Sequence, residues 1–266
     1  MTDSTNRQVA IVTGGGTGLG RGICIELAKK GIIVVITGRR EQLLNETKEI
    51  IEKDGGKAEC YRLDVTDKEN VADVMAKVYK KYGRLDILVS NAGNLSEPAF
   101  ITETTDEAWD SVIKTHLYGA FYCIREAARY MRKAKYGRIL IISSVAMING
   151  FNGAANYAAS KGALEAMTKT AAKEFGQWGI TVNCIEPGII ATPMADPFLD
   201  AMGETFSSET PMGRNGVPKD IGVAAAFYCS PEAEFVTGTV LRVDGGYMLQ
   251  SSMDQFVFKA CKVPEE

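Results

Sequence analysis

Short runs of consecutive apolar, mostly β-branched residues alternate along this chain with longer stretches in which apolar residues recur every three or four positions. The short runs lie at 9–13, 32–37, 58–63, 87–89, 138–143, 181–185 and 239–243. They are near-continuous rather than alternating, as strands of a parallel sheet are when both faces are covered. The helical stretches lie near 19–30, 41–53, 68–82, 105–132, 155–178 and 219–230. A repeating strand–helix order, with the right-handed crossovers such units adopt, predicts a doubly wound α/β fold: a seven-stranded parallel sheet flanked by helices. The pattern fills nearly all of 1–266 and predicts a single domain. Residues 247–266 follow the last strand as a tail, whose Phe256-Val257-Phe258 is apolar enough to pack.

Composition narrows the class. Of 266 residues, 45% are hydrophobic and 24% charged, the balance of an ordinary globular protein with a full core. With 30 basic and 33 acidic residues the net charge is −3, against the basic excess of a nucleic-acid binder. No stretch approaches the roughly 20 consecutive apolar residues of a membrane helix. Residues 1–8 are polar and unlike a signal peptide, so the expected location is cytoplasmic. Cys24, Cys60, Cys123, Cys184, Cys229 and Cys261 form no CxxC pair and read as free, mostly buried thiols. His116 is the one histidine, which excludes a His-rich metal site, and no metal is expected.

The first predicted strand runs straight into Gly14-Gly15-Gly16-Thr17-Gly18-Leu19-Gly20 and then a helix. Glycines let the backbone approach a pyrophosphate, and a helix N-terminus offers N–H groups and positive potential. In this context the motif points to a Rossmann-type dinucleotide site. The second strand ends in Thr37-Gly38-Arg39-Arg40, without the carboxylate that prefers a free ribose 2′-hydroxyl. Arg39 and Arg40 suit a 2′-phosphate, so the expected cofactor is NADP(H). Ser144 follows the fifth strand, and Tyr157 and Lys161 share one helical face at i and i+4. A nearby ammonium favours a phenolate, which would let Tyr157 exchange a proton with a substrate oxygen while Ser144 holds that oxygen.

Together these features resemble the short-chain dehydrogenase/reductase (SDR) family from about residue 8 to 248. The further matching elements are Asp64-Val65, Asn91-Ala92-Gly93 (with Ser90 where a second Asn is usual) and Pro187-Gly188-Ile189-Ile190-Ala191-Thr192. The resemblance implies adenine-side contacts at Asp64 and Val65. It implies cofactor contacts at Asn91, Ala92, Gly93, Tyr157, Lys161, Pro187 and Gly188, and a grip on the nicotinamide carboxamide by the Ile190 backbone and Thr192. It also implies catalysis by Ser144, Tyr157 and Lys161, and a homotetramer paired through the helices at 105–132 and 155–178. His116 stands where the family usually has an asparagine that holds a kink and a relay water. It can donate and accept hydrogen bonds, and its ordinary pKa of about 6.5 suggests a group that changes charge near neutrality.

Residues 193–215 match the family's substrate lid and carry Met194, Phe198, Met202 and Met212, suited to a bulky apolar ligand. The helix around His116 also resembles that of bacterial hydroxysteroid dehydrogenases. The expected activity is interconversion of a secondary alcohol and a ketone on a small-molecule substrate such as a hydroxysteroid or bile acid. The alternatives are a 3-oxoacyl-(acyl carrier protein) reductase, with Arg125, Arg129, Arg132 and Lys133 as basic contacts, and a non-catalytic NADP-binding regulator.

Overall fold

The computed structural model describes residues 7–249. The strands are β1 (Val9–Thr13), β2 (Ile33–Gly38), β3 (Lys57–Arg62), β4 (Ile87–Ser90), β5 (Gly137–Ile142), β6 (Ile180–Pro187) and β7 (Val240–Val243). The helices are α1 (Gly18–Lys29), α2 (Glu41–Lys53), α3 (Lys68–Tyr82), α4 (Asp106–Ile113), α5 (Gly119–Ala134), α6 (Ala146–Asn149), α7 (Ala155–Phe175), α8 (Asp196–Glu209) and α9 (Pro218–Tyr228). The strands form one sheet in the order β3-β2-β1-β4-β5-β6-β7, every pair parallel. The predicted doubly wound α/β class is therefore the observed one.

Alternate residues of each strand face opposite sides. Val9 and Ile11 of β1 pack with Val71, Val74, Ala127 and Met131 of α3 and α5. Ala10 and Val12 pack with Ile23, Leu27, Ile221 and Ala225 of α1 and α9. Both faces of the central strands are covered, which is why β1, β2, β4 and β5 are almost continuously apolar. Cys24, Cys123, Cys184 and Cys229 are free thiols within these cores, and Cys60 is half-buried.

Two predicted segments differ. The stretch 105–132 is not one helix: α4 and α5 are joined by a π-helical turn, Lys114–Tyr118. Residues 193–215 are not a loop throughout, because α8 occupies most of them. None of the residues of α8 is buried, so it has no core-facing stripe to betray it in the sequence. The predicted tail begins with a short 3₁₀ turn, Tyr247–Leu249, and Phe256-Val257-Phe258 lies outside the described residues. Among the described residues no helix is long and apolar enough to cross a membrane.

The order of the sheet decides where a ligand can sit. Successive strands step outward from β1 through β2 to β3, and then from β4 the other way. The connections leave β1 and β4 in opposite directions, opening a crevice at their carboxyl ends.

Candidate active site

A cleft of about 450 Å³ occupies that crevice, running from Arg39, Arg40 and Asp64 past the glycine turn to His116, Tyr157 and Lys161. At its centre β1 turns into α1. A Cβ on Gly20 would lie 2.2 Å from the Gly14 carbonyl oxygen, so the helix can start this close to the strand only with glycine there. Thr17 caps α1 without a side-chain hydrogen bond, and the first turn carries no acidic residue. The opening N–H groups of α1 thus keep their positive potential for an anion.

Asn91-Ala92-Gly93 braces this turn. Asn91 Nδ2 donates to the Thr13 carbonyl at 2.8 Å, and the Asn91 and Ala92 amides donate to Thr13 Oγ1 at 2.9 and 3.0 Å. Arg39 and Arg40 are exposed at the rim. Asp64 Oδ1 accepts from the Thr66 amide and hydroxyl at 3.0 and 2.7 Å. Burial pushes the Asp64 carboxyl up, but these bonds and the Arg39 and Arg62 charges outweigh it and hold it below the usual range. Arg62 escaped the sequence reading. It pairs with Gly38 across the β2–β3 ladder, beside Arg39, and only that register brings it near.

At the other end, Lys161 is 4% exposed and donates from Nζ to the Ile142 carbonyl at 2.8 Å. The ammonium stands 5.4 Å from the centre of the Tyr157 ring. Burial lowers Lys161 to about 8. Tyr157 departs from the expectation of an ammonium-lowered phenol: burial raises its pKa, and the hydrogen-bonded Ser144 hydroxyl only opposes that rise. Ser144 Oγ also accepts from the Ala146 amide at 3.1 Å, fixing it at the start of α6. Behind it, Ser143 Oγ donates to Glu165 Oε1 at 2.7 Å and reaches the Lys161 carbonyl at 3.2 Å. Burial and the neighbouring Glu186 hold Glu165 above the usual carboxylate range.

His116 lies in the π-helical turn and is 2% exposed. Nε2 sits 3.1 Å from the Asn94 amide nitrogen and 2.8 Å from the Asn94 carbonyl oxygen, while Nδ1 has no partner among the described residues. Its ring meets the Tyr157 ring edge-on at 5.3 Å. A Cβ on Gly93 would fall 2.5 Å from His116 Cε1, so the loop after β4 presses directly on the imidazole. Burial, aided by the Lys161 charge, lowers His116 to about 3. This corrects the expectation of a charge change near neutrality: the ring is neutral there, because burial and the nearby Lys161 charge both disfavour the cation.

The segment 187–192 at the end of β6 is held from two sides. The Gly188 amide donates to the Val243 carbonyl at 3.0 Å, and the Val145 amide to the Pro187 carbonyl at 3.2 Å. Thr192 lines the cleft beside Gly18, whereas Ile190 is buried in a bridge to Gly216.

Residues 14–248 match the family described as enoyl-(acyl carrier protein) reductase. A 3-oxoacyl-(acyl carrier protein) reductase of Thermotoga maritima is 37% identical over 242 residues, covering 91% of this chain and 98% of its own. The cyclopentanol dehydrogenase of Comamonas testosteroni is 37% identical over 244 residues, 91% of this chain and 97% of its own. Among solved structures, ElxO with NADP bound superposes with a TM-score of 0.84 at 34% identity, covering 92% of this chain and 100% of that one. An actinorhodin polyketide ketoreductase with NADPH gives 0.88 at 30%, covering 92% and 99%.

Proposed function

We propose that this chain, which belongs to the short-chain dehydrogenase/reductase family, is an NADP(H)-dependent oxidoreductase interconverting a secondary alcohol and a ketone. The observation that carries the reading is the placing of Tyr157 and Lys161 at one end of a cleft whose middle is an uncapped helix N-terminus, with the Ser144 hydroxyl hydrogen-bonded to Tyr157. A purely NADP-binding regulator needs the second feature and not the first.

The cleft fits the cofactor. The 14–20 turn and the start of α1 would hold the pyrophosphate, with Asp64 and Val65 on the adenine side. Arg39 and Arg40 would hold a 2′-phosphate, and the Ile190 backbone and Thr192 the carboxamide. NADP(H), when bound, supplies the hydride for reduction or takes it up in oxidation. The protein handles the proton. In reduction the Tyr157 hydroxyl donates to the substrate oxygen, and the Ser144 hydroxyl steadies that oxygen by a second hydrogen bond. The Lys161 ammonium uses one donor on the Ile142 carbonyl and has others for its surroundings. A water between Lys161 and the unpartnered His116 Nδ1 would satisfy both and return protons to Tyr157.

The substrate we favour is bulky and apolar, such as a hydroxysteroid or bile acid. Met194, Phe198 and Met202 of the lid segment are 44–49% exposed. The Ala99 amide donates to the Gly153 carbonyl at 3.2 Å, joining the segments that carry Phe100 and Phe151, both exposed. A second reading, a 3-oxoacyl group on a carrier protein, is favoured by the Thermotoga maritima relative. A panel of steroids, 3-oxoacyl thioesters and small ketones with NADPH and NADH separates them. On the best substrate Tyr157→Phe should lose about 10²–10⁴-fold in kcat. A variant within tenfold of the parent would sink the mechanism.

A further inference from the structure

Asn156 immediately precedes Tyr157, is 3% exposed and has no part in the chemistry above. Its side chain bonds three separate segments. Nδ2 donates to Ser96 Oγ at 3.0 Å, in the loop after β4, and to the Ala108 carbonyl at 3.2 Å, on α4. Oδ1 accepts from the Tyr157 amide at 2.8 Å. The first N–H groups of any helix lack intrahelical partners and are usually served by the residue before the helix. At α7 that residue is Ala154, which offers no side-chain acceptor. The helix is therefore capped from within, and the amide so served is that of Tyr157.

We propose that Asn156 is a positioning residue for Tyr157. One planar amide fixes the main chain that carries the phenol. The same amide ties it to α4 and to the loop at 94–99, next to the exposed Phe100. The inference rests on the reading of Tyr157 as the proton donor. A side-chain amide has one acceptor oxygen and two N–H donors, and all are engaged here. Aspartate would keep the acceptor and lose both donors. Alanine would lose everything and leave the Tyr157 amide unserved. Proton transfer requires the phenol oxygen within about 2.6–3.2 Å of its partner. A small tilt of the backbone grows toward the far end of the ring, and misplacement by about 1 Å can cost on the order of 100-fold.

The test uses the full chain with NADPH and the best ketone from the panel. Asn156→Ala, Asn156→Asp, Ser96→Ala and Tyr157→Phe are compared by kcat and KM from about pH 5 to 10, with NADPH binding followed by fluorescence. Asn156→Ala should lose about tenfold or more in kcat, keep NADPH affinity within about threefold, and shift the pH dependence of kcat. Asn156→Asp should lie between it and the parent. A folded Asn156→Ala within about twofold of the parent, or one that loses kcat with an unmoved pH profile, overturns the proposal. An Asn156→Asp no better than Asn156→Ala overturns the part assigned to the Tyr157 amide. Where Asn156→Ala does not fold, Ser96→Ala decides, since it removes one tie and leaves α7 intact: a lowered kcat with a shifted profile supports the proposal, and parent-like behaviour overturns it. A fully active Tyr157→Phe instead brings down the proton-donor reading itself.

Discussion

A buried imidazole close to a buried ammonium resists protonation, and His116 is such a group. Its unfolded pKa is about 6.5 and its folded value about 3. Between those values the unfolded chain binds a proton that the folded chain refuses. The contribution to stability is therefore full above about pH 6.5 and is lost as pH falls toward 3. Between pH 7 and 5 this amounts to about 2 kcal/mol. Urea midpoints at the two pH values should show the parent losing that much more than His116→Asn. Parallel losses in both would mean that burial does not lower the His116 pKa. The same variant should stay active, whereas His116→Leu should turn over slowly if Nδ1 holds the relay water. At this scale the glycine turn, Ser144, Tyr157 and Lys161 were legible because each belongs to a short contiguous pattern. Asn156, Arg62 and Glu165 were not, because their partners come from other elements: Ser96 is 60 positions from Asn156. Periodicity carries no trace of such pairings.

Every strand was legible from a near-continuous apolar run, with Glu59, Arg62 and Arg242 interrupting those of the edge strands β3 and β7 and ends displaced by a residue or two. The helices were legible wherever one face is buried. The π-helical turn at Lys114–Tyr118 was hidden because residues on both sides of it keep helical spacing, and one widened turn shifts the stripe without breaking it. α8 was hidden for the opposite reason, having nothing buried. A helix with apolar side chains and no core contact has its partner elsewhere, and we assign that partner to the substrate. Replacing Met194, Phe198 and Met202 with alanine should then raise KM for a steroid far more than for a small ketone. Full burial of such a side chain is worth about 1.5–3 kcal/mol, and these are already partly shielded, so about 1 kcal/mol each is expected. Equal rises in KM for both substrates would leave α8 as a cover for the cofactor only.

On the scale of the whole molecule, the cleft lies at the carboxyl ends of the strands, and further exposed aromatics lie on the helices 106–134. Trp109, Tyr118 and Phe121, on α4, the π-helical turn and α5, are 39–50% exposed. We expect this face to pair with a second copy in a homotetramer. Light scattering at micromolar concentration should then return a mass near four chains of 28.8 kDa, and a mass of one chain would reject it. The lid segment is tied at both feet. Ile190 and Gly216 form a parallel bridge, the Ala191 amide donates to the Gly216 carbonyl at 2.9 Å, and the Gly216 amide donates to the Ile189 carbonyl at 2.9 Å. The span between the feet is thus set by the scaffold and not by what lies between them. Lengthening a loop with fixed ends is entropically mild, about 0.6 kcal/mol for each doubling. A lineage carrying this fold can therefore insert, delete or exchange residues between 195 and 214, beyond the cleft-lining Thr192, Pro193 and Met194, and change what the site accepts while the cofactor cleft and Tyr157 keep their places.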